Sequence, residues 1–524
     1  MIYSIIPVAM MAIAGCSKTE DPVLTHKDWE GTATYFASSD ALKFGTYYKP
    51  QVGTVGDPMP FFDPIAKDFK ILYLQDYSQN AAATYHPIWG LETEDAGTYK
   101  SLGELISCGS ATEQDAAIGT GSTVYNEKDG LYYTFYTGNK YLPKANESGQ
   151  VVMLATSPDF KTWTKDRRVY IKGEDNGYSK NDFRDPFVFA DESGIWHMVV
   201  ATTKNGKGWL AEYTSENLID WTYAGDFMMM VWDRFYECPD IFKMGDWWYM
   251  VYSEKHAAIR KVQYFKGRTL EELKASTAGD NPQWPDSHEG VLDSRGFYAG
   301  KTASDGTDRY IWGWCPTRKG KDNTEVGAAP AEPEWAGSLV AHKVIQHEDG
   351  TLTLGAVPGI EKKYGKTREL KVMSQSKTGV EATDKGYVLG NDSYILFNRL
   401  GEANKLSFTV KATDKFGISL VRGSDSDKYY SIIVNPEGEN RKINFEEEGK
   451  DGKGFIDGID SYLFPKPADD IYNVTVYTDN SVCVVYINNN VAYTNRIYGI
   501  NRNCWSINSY GGSIEVSDIS VRQQ

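Results

Sequence analysis

Gly130-Leu-Tyr-Tyr-Thr-Phe-Tyr-Thr-Gly138 sets a turn glycine ahead of a run of aromatic and β-branched residues, the composition of a strand packed on both faces. The pattern recurs along the chain. Gly194-Ile-Trp-His-Met-Val-Val200, Gly245-Asp-Trp-Trp-Tyr-Met-Val-Tyr252 and Gly306-Thr-Asp-Arg-Tyr-Ile-Trp-Gly-Trp314 carry it, and Asp68-Phe-Lys-Ile-Leu-Tyr-Leu-Gln75 repeats it more loosely. The anchors Asp68, Gly130, Gly194, Gly245 and Gly306 fall 62, 64, 51 and 61 residues apart, the spacing of repeated four-stranded units. Five such units predict a five-bladed β-propeller. Ser157-Pro-Asp-Phe-Lys-Thr-Trp163 and Ser215-Glu-Asn-Leu-Ile-Asp-Trp221 each follow an aromatic strand by a similar interval, as a turn leading to an outer strand would.

Beyond about residue 362 the texture changes to short alternating strands such as Leu406-Ser-Phe-Thr-Val410, Tyr430-Ser-Ile-Ile-Val434 and Val482-Cys-Val-Val-Tyr-Ile487. Gly, Asp and Asn turns separate them at the intervals of a β-sandwich. The expected organisation is all-β, with a propeller over residues 31–361 and a sandwich over 362–524. Gly359-Ile-Glu-Lys-Lys-Tyr-Gly365 reads as the linker.

At the other end, residues 1–15 hold an apolar run from Ile5 to Ile13, too short to span a bilayer but right for a signal-peptide core. It ends in Ile13-Ala14-Gly15-Cys16, which resembles the lipobox of bacterial lipoproteins. That resemblance implies acylation at Cys16, a polar tether over residues 16–30, and attachment to the outer membrane of a diderm bacterium, at the cell surface or the periplasmic face. The remaining cysteines, at 108, 238, 315, 483 and 504, show no metal-ligand spacing, so no metal is predicted. A bridge between Cys483 and Cys504 is left open.

Composition narrows the partners. The 524 residues are 41% hydrophobic and 24% charged, which excludes wholesale disorder and a multi-span membrane protein. A net charge of −16 repels polyanions, and no basic patch offers a grip for nucleic acid. Aromatics reach 13%, rich in Tyr and Trp, whose faces suit both strand packing and sugar stacking. Neutral or cationic ligands are the more plausible partners. No cofactor is implied, and oligomeric state cannot be read from sequence.

In a propeller the innermost strand of each blade precedes the aromatic strand and lines the central channel. Just upstream of three anchors stand Gly56-Asp57-Pro58, Phe183-Arg184-Asp185-Pro186 and Glu237-Cys238-Pro239-Asp240. Asp57, Asp185 and Glu237 lie 11, 9 and 8 residues before their anchors, so the fold predicts that three carboxyls from three blades converge on one funnel. Convergent carboxyls without histidine ligands point to glycoside chemistry, in which one attacks or activates water and another protonates the leaving oxygen. Two other classes keep a place: an inverting arabinan-type furanosidase with carboxyls farther apart, and a glycan-binding lipoprotein on a disabled hydrolase fold.

The ordered series of motifs over residues 40–360 resembles glycoside hydrolase family 32, the fructan hydrolases and invertases. Gly56-Asp57-Pro58 with Leu72-Tyr-Leu-Gln75 is similar to the nucleophile segment and the strand after it. His86-Pro-Ile-Trp89-Gly90 is similar to the family's Trp-Gly-His segment, and Gly119-Thr-Gly-Ser122 to its Ser-Gly-Ser loop. Arg184-Asp185-Pro186 and Glu237-Cys238 match as they stand, and Phe297-Tyr298-Ala299, Trp312-Gly-Trp314 and Trp335-Ala-Gly-Ser-Leu339 complete the set.

The resemblance implies a retaining hydrolase of β-fructofuranosidic linkages. Asp57 is then the nucleophile, Glu237 the general acid/base and Asp185 the stabiliser that holds sugar hydroxyls. Gln75, Trp89, Ser122, Arg184 and Trp314 become the walls of the sugar pocket. Like-charge repulsion from Asp57 and Asp185 is expected to raise the pKa of Glu237, with Arg184 restraining it. The chain departs from the family where Trp-Met-Asn-Asp-Pro-Asn-Gly is replaced by Val55-Gly56-Asp57-Pro58-Met59-Pro60, and where Leu91 stands in place of His. Both changes bear on sugar recognition.

Overall fold

The computed structural model describes residues 44–50, 53–76, 86–140, 143–230, 235–254, 261–275, 290–317, 335–421, 429–436, 442–448, 455–464, 466–497, 500 and 503–524. The expected signal segment, the tether and Cys16 lie outside them. Strands dominate. Among the described residues the α-helices are two short ones, Leu270–Ala275 and Pro358–Glu361.

Five antiparallel blades follow in chain order. The aromatic segments form the second strand in each: Asp68–Asp76, Leu131–Asn139, Trp196–Lys204, Trp247–Glu254 and Arg309–Pro316. The inner strands ahead of them are Thr54–Asp63, Ala117–Asn126, Phe183–Ala190, Tyr236–Met244 and Tyr298–Ser304. Blades I, II, III and V have four strands; in blade IV three strands are described, with a single bridge between Gln263 and Val291 beside them. One pair, Val55 with Gly337, joins the inner strand of blade I to the third strand of blade V.

The aromatic pattern has a packing cause. Each second strand is buried on both faces between neighbouring blades, so both sets of alternate side chains must be apolar. Trp312, Tyr73 and Tyr249, together with Trp89 from the third strand of blade I, pack into the largest core cluster with residues of the sandwich. Phe135 and Val200 fill the space between blades II and III.

The last propeller strand ends at Gly355, the short helix follows, and the first sandwich strand begins at Lys366. The sandwich packs one seven-stranded sheet on an eight-stranded one around Trp505, Phe397, Leu406 and Val485. It also docks on the propeller. Tyr477, Val484, Tyr486 and Ala492 join the propeller's core, and a fully buried polar set seals the junction. There His342 of blade V meets Asp293 at 3.1 Å and Tyr486 Oη at 2.7 Å, while the Thr494 hydroxyl and amide donate to Asp293. Unpaired, each of these groups would cost the fold a few kcal/mol, so the junction specifies one docking geometry. Cys483 and Cys504, left open as a pair by the sequence, are both free thiols.

Candidate active site

The five inner strands share one backbone irregularity. The pairing with the second strand slips between Gly56 and Met59, Gly119 and Gly121, Arg184 and Phe187, Glu237 and Asp240, and Tyr298 and Lys301. Each slip is a β-bulge, a device that turns side chains away from the strand's regular alternation. The residues after the slip begins are Asp57, Thr120, Asp185, Cys238 and Ala299. Four of them hold a positive φ: 24° at Asp57, 58° at Asp185, 51° at Cys238 and 54° at Ala299. Non-glycine residues adopt that conformation at a cost, and such strain gathers at functional sites.

Two rings of side chains follow from the repeat. Asp57 and Asp185 occupy the bulge position itself, and Thr120 of blade II shares it. Glu237 stands one residue earlier, at the position of Arg184 in blade III and Tyr298 in blade V. The three carboxyls, though they stand a similar distance ahead of their anchors, are therefore not strictly equivalent; two come from one ring and the third from the ring beside it.

Each carboxyl has its own holders. Asp57 accepts from Trp314 Nε1 at 2.9 Å and from the Thr120 hydroxyl at 2.8 Å. Asp185 is buried, and its Oδ2 accepts from the backbone N–H of Cys238 at 3.0 Å. Its own N–H donates to the Thr137 hydroxyl, which in turn donates to the Thr120 carbonyl. Glu237 is clamped from both neighbouring blades: Arg184 donates to Oε1 at 2.9 Å and the Tyr298 hydroxyl to Oε2 at 2.6 Å. Arg184 is itself fixed, with a second nitrogen on Asp182 at 2.9 Å and its guanidinium 4.0 Å from the Phe235 ring centroid.

Removal from water and mutual repulsion set the charges. Burial, and next to it the Asp185 carboxylate, push the Asp57 pKa from 3.8 up to about 6, against the lowering pull of Trp314 and Thr120, with Glu237 adding to the rise. Asp185 is also raised, mainly by burial, with Arg184 pulling the other way. Arg184 is held more firmly protonated by Glu237 and Asp185 despite its own burial. Lys301 of blade V is buried, donating to the Gly121 carbonyl at 2.8 Å and lying 4.8 Å from the Phe187 ring centroid. Burial lowers its pKa, and the carboxylates of Asp240, Asp185 and Asp57 resist that change.

The model of the glycosyl hydrolases family 32 N-terminal domain matches residues 47–357, and that of the family's BT1760-like C-terminal domain matches 350–521. The chain belongs to glycoside hydrolase family 32. It is 23% identical over 428 residues to the sucrose-6-phosphate hydrolase of Escherichia coli, covering 78% of this chain and 80% of that one. Among solved structures it is similar to the sucrose-6-phosphate hydrolase of Lactobacillus gasseri, with a TM-score of 0.69 at 16% identity over 93% of this chain and 94% of that one. Fructan 1-exohydrolase IIa of Cichorium intybus, in complex with 1-kestose, gives the same TM-score at 16% identity over 93% and 98%. The family and the carboxyls together make the protein a glycoside hydrolase, built as a five-bladed propeller with a C-terminal sandwich.

Set against the family's motifs, the structure sorts the other expected site residues. Arg184 and Trp314 join the carboxyls directly. Gln75 is buried opposite Val55, two residues ahead of Asp57. Ser122 braces two inner strands, donating to the Pro186 carbonyl and accepting from the Val188 N–H, both at 3.0 Å. Trp89 is 3% exposed, within the propeller core. Thr120, Tyr298 and Lys301 were not singled out by sequence; strand pairing places Thr120 and Tyr298 in the two rings. Where the family's first motif carries a Trp and two Asn, this chain has Gly56 under the Trp335 ring; a Cβ there would lie 2.4 Å from the ring, so Trp335 takes the space an amide side chain would need.

Proposed function

We propose that this protein is a retaining hydrolase of β-fructofuranosidic linkages in fructans or fructo-oligosaccharides. The observation that carries the reading is the asymmetry of the two reacting carboxyls. Asp57 is held by two donors that leave it a carboxylate near neutral pH, as a nucleophile must be. Glu237 lies between Arg184 and Tyr298, whose hydrogen bonds strengthen as negative charge develops there.

In the first step Asp57 attacks the anomeric carbon while Glu237 gives its proton to the departing oxygen, and a fructosyl ester forms on Asp57. As Glu237 loses that proton, its bond from Arg184 becomes an ion pair and its bond from Tyr298 becomes charge-assisted, which stabilises the transition state more than the ground state. In the second step Glu237 takes a proton from water, which attacks the ester and releases the sugar. Asp185, anchored by the Cys238 N–H, holds ring hydroxyls. The family and its relatives' named substrates favour a fructosyl group over an arabinosyl one, and a carboxyl set with every member held in place favours an enzyme over a binder.

Product analysis of the purified chain against levan, inulin, sucrose and arabinan, with Asp57→Ala as control, tests the reading. Fructose or fructo-oligosaccharides formed only by the parent support it. Hydrolysis of arabinan alone, or no hydrolysis by a folded chain, sinks it.

We further propose that the chain is a lipoprotein anchored through Cys16 to an outer membrane. The apolar run before Gly15-Cys16 supports this. Labelling with an alkyne fatty acid should mark the parent and not Cys16→Ser; equal labelling of both would refute it.

A further inference from the structure

Arg496 stands on the sandwich, far from the carboxyls in sequence, yet its side chain is 0% exposed and all three nitrogens of its fork donate hydrogen bonds. Nε donates to the Pro316 carbonyl at 3.0 Å and one terminal nitrogen to the Cys315 carbonyl at 2.9 Å and the Ser338 hydroxyl at 2.8 Å. The other terminal nitrogen donates to the Ser481 hydroxyl at 2.9 Å on its own domain. Cys315 and Pro316 are the last two residues of the second strand of blade V. The residue before them is Trp314, whose indole N–H holds Asp57.

We propose that Arg496 is a positioning residue for the nucleophile: the sandwich, through this one guanidinium, fixes the end of the Trp314 strand and so fixes the Trp314–Asp57 hydrogen bond. The proposal rests on the assignment of Asp57 as nucleophile.

Three features make the link tight. Trp314 pairs with Leu339 and Cys315 with Ser338 in the ladder, so Arg496 clamps both strands at the rung beside Trp314. Gly337, opposite Pro316, leaves no slack, since a Cβ there would lie 1.8 Å from the Cys315 carbonyl oxygen. The Trp314 ring also lies 5.3 Å, centroid to centroid, from Tyr298, which holds Glu237. A shift of the strand end therefore disturbs the donors of both reacting carboxyls, and misplacement of about 1 Å at such a site costs on the order of a hundredfold in rate. A lysine cannot reproduce the fork, because it is a point charge without fixed donor directions.

The test is the Asp57 titration. Asp57 faces Asp185 from blade III, Glu237 and the Cys238 thiol from blade IV, and Lys301 from blade V, with Arg184 bound to Glu237. None of these residues is replaced in Arg496→Lys. Loss of the Trp314 bond removes a donor that favours the ionised form, so the acid limb of kcat/KM should rise by about one pH unit. Trp314→Phe should raise the limb equally, and Arg496→Lys should add nothing in the Trp314→Phe background. A folded Arg496→Lys chain with the parent's limb, or one that shifts the limb in both backgrounds alike, overturns the proposal. Should Arg496→Lys not fold, Ser338→Ala, which removes one of its acceptors, should shift the limb the same way by less, and an unmoved limb overturns the proposal.

A second readout requires no substrate: the pH dependence of the thermal midpoint of each chain relative to the same chain carrying Asp57→Asn. If the parent hydrolyses no fructoside, the functional reading fails while this difference still locates the Asp57 titration in both the parent and the Arg496 variant. An identical midpoint of that titration in the two would then overturn the proposal on its own.

Discussion

Replacing Asp57 with Asn should make the protein more stable at neutral pH while abolishing turnover. The folded state binds the Asp57 proton more tightly than the unfolded chain, because the pKa rises from 3.8 to about 6 on folding. Ionising the folded site is therefore a cost. It is absent below about pH 4, grows between pH 4 and 6, and is complete above pH 6. A rise of about two units corresponds to about 3 kcal/mol. Asn removes that cost without disturbing the holders: its oxygen still accepts from Trp314 Nε1, and the Thr120 hydroxyl turns to accept from the new amide. The expected gain at pH 8 is about 2–3 kcal/mol, read as a thermal midpoint a few degrees higher, with no gain at pH 4. An Asp57→Asn chain no more stable than the parent at pH 8, or equally stabilised at pH 4 and pH 8, would refute the reasoning.

Further outcomes follow from the same contacts. Glu237→Gln should lower kcat by at least about a hundredfold through loss of proton transfer, with folding intact by circular dichroism; turnover at the parent rate would exclude Glu237 as the acid/base. The parent's kcat/KM should fall on the acid side with a midpoint near 6 as Asp57 takes up its proton, measured by initial rates across pH 4–8; a limb near 4 would contradict the burial effect. Arg184→Lys cannot hold Asp182 and Glu237 together while lying over Phe235, so kcat/KM should drop about 10- to 100-fold, measured under subsaturating substrate.

Sequence carried much of the architecture because a propeller repeats itself. Gly130, Gly194, Gly245 and Gly306 each sit in the turn that leads into a second strand, and the strand's double burial demands the aromatics that made the repeat visible. The carboxyls were legible for the same reason, since each precedes its anchor by a similar distance. What sequence spacing missed was the bulge. The turns between first and second strands differ in length, so counting 11, 9 and 8 residues back from the anchors does not tell the two rings apart, whereas backbone pairing puts Glu237 with Arg184 and Tyr298.

Thr120 and Tyr298 were quoted within motifs but passed over because a hydroxyl in a strand carries no signal of its own. Ser122, two residues from Thr120, points into the contact between blades II and III rather than at Asp57, as the alternation of a strand after a bulge dictates. Trp89 looked like a sugar platform, yet a third strand lies away from the channel, and there a Trp serves the core. The hold of Arg496 on blade V was invisible, because it joins residues about 180 positions apart.

The stereochemistry of transfer tests the central claim most directly. With sucrose or 1-kestose as donor and methanol as acceptor, the sugar passed to methanol records whether Asp57 formed a covalent fructosyl ester. The account predicts methyl β-fructofuranoside as the sole glycoside by proton NMR, absent with Asp57→Ala. The α-glycoside, or transfer that persists in Asp57→Ala, would contradict it.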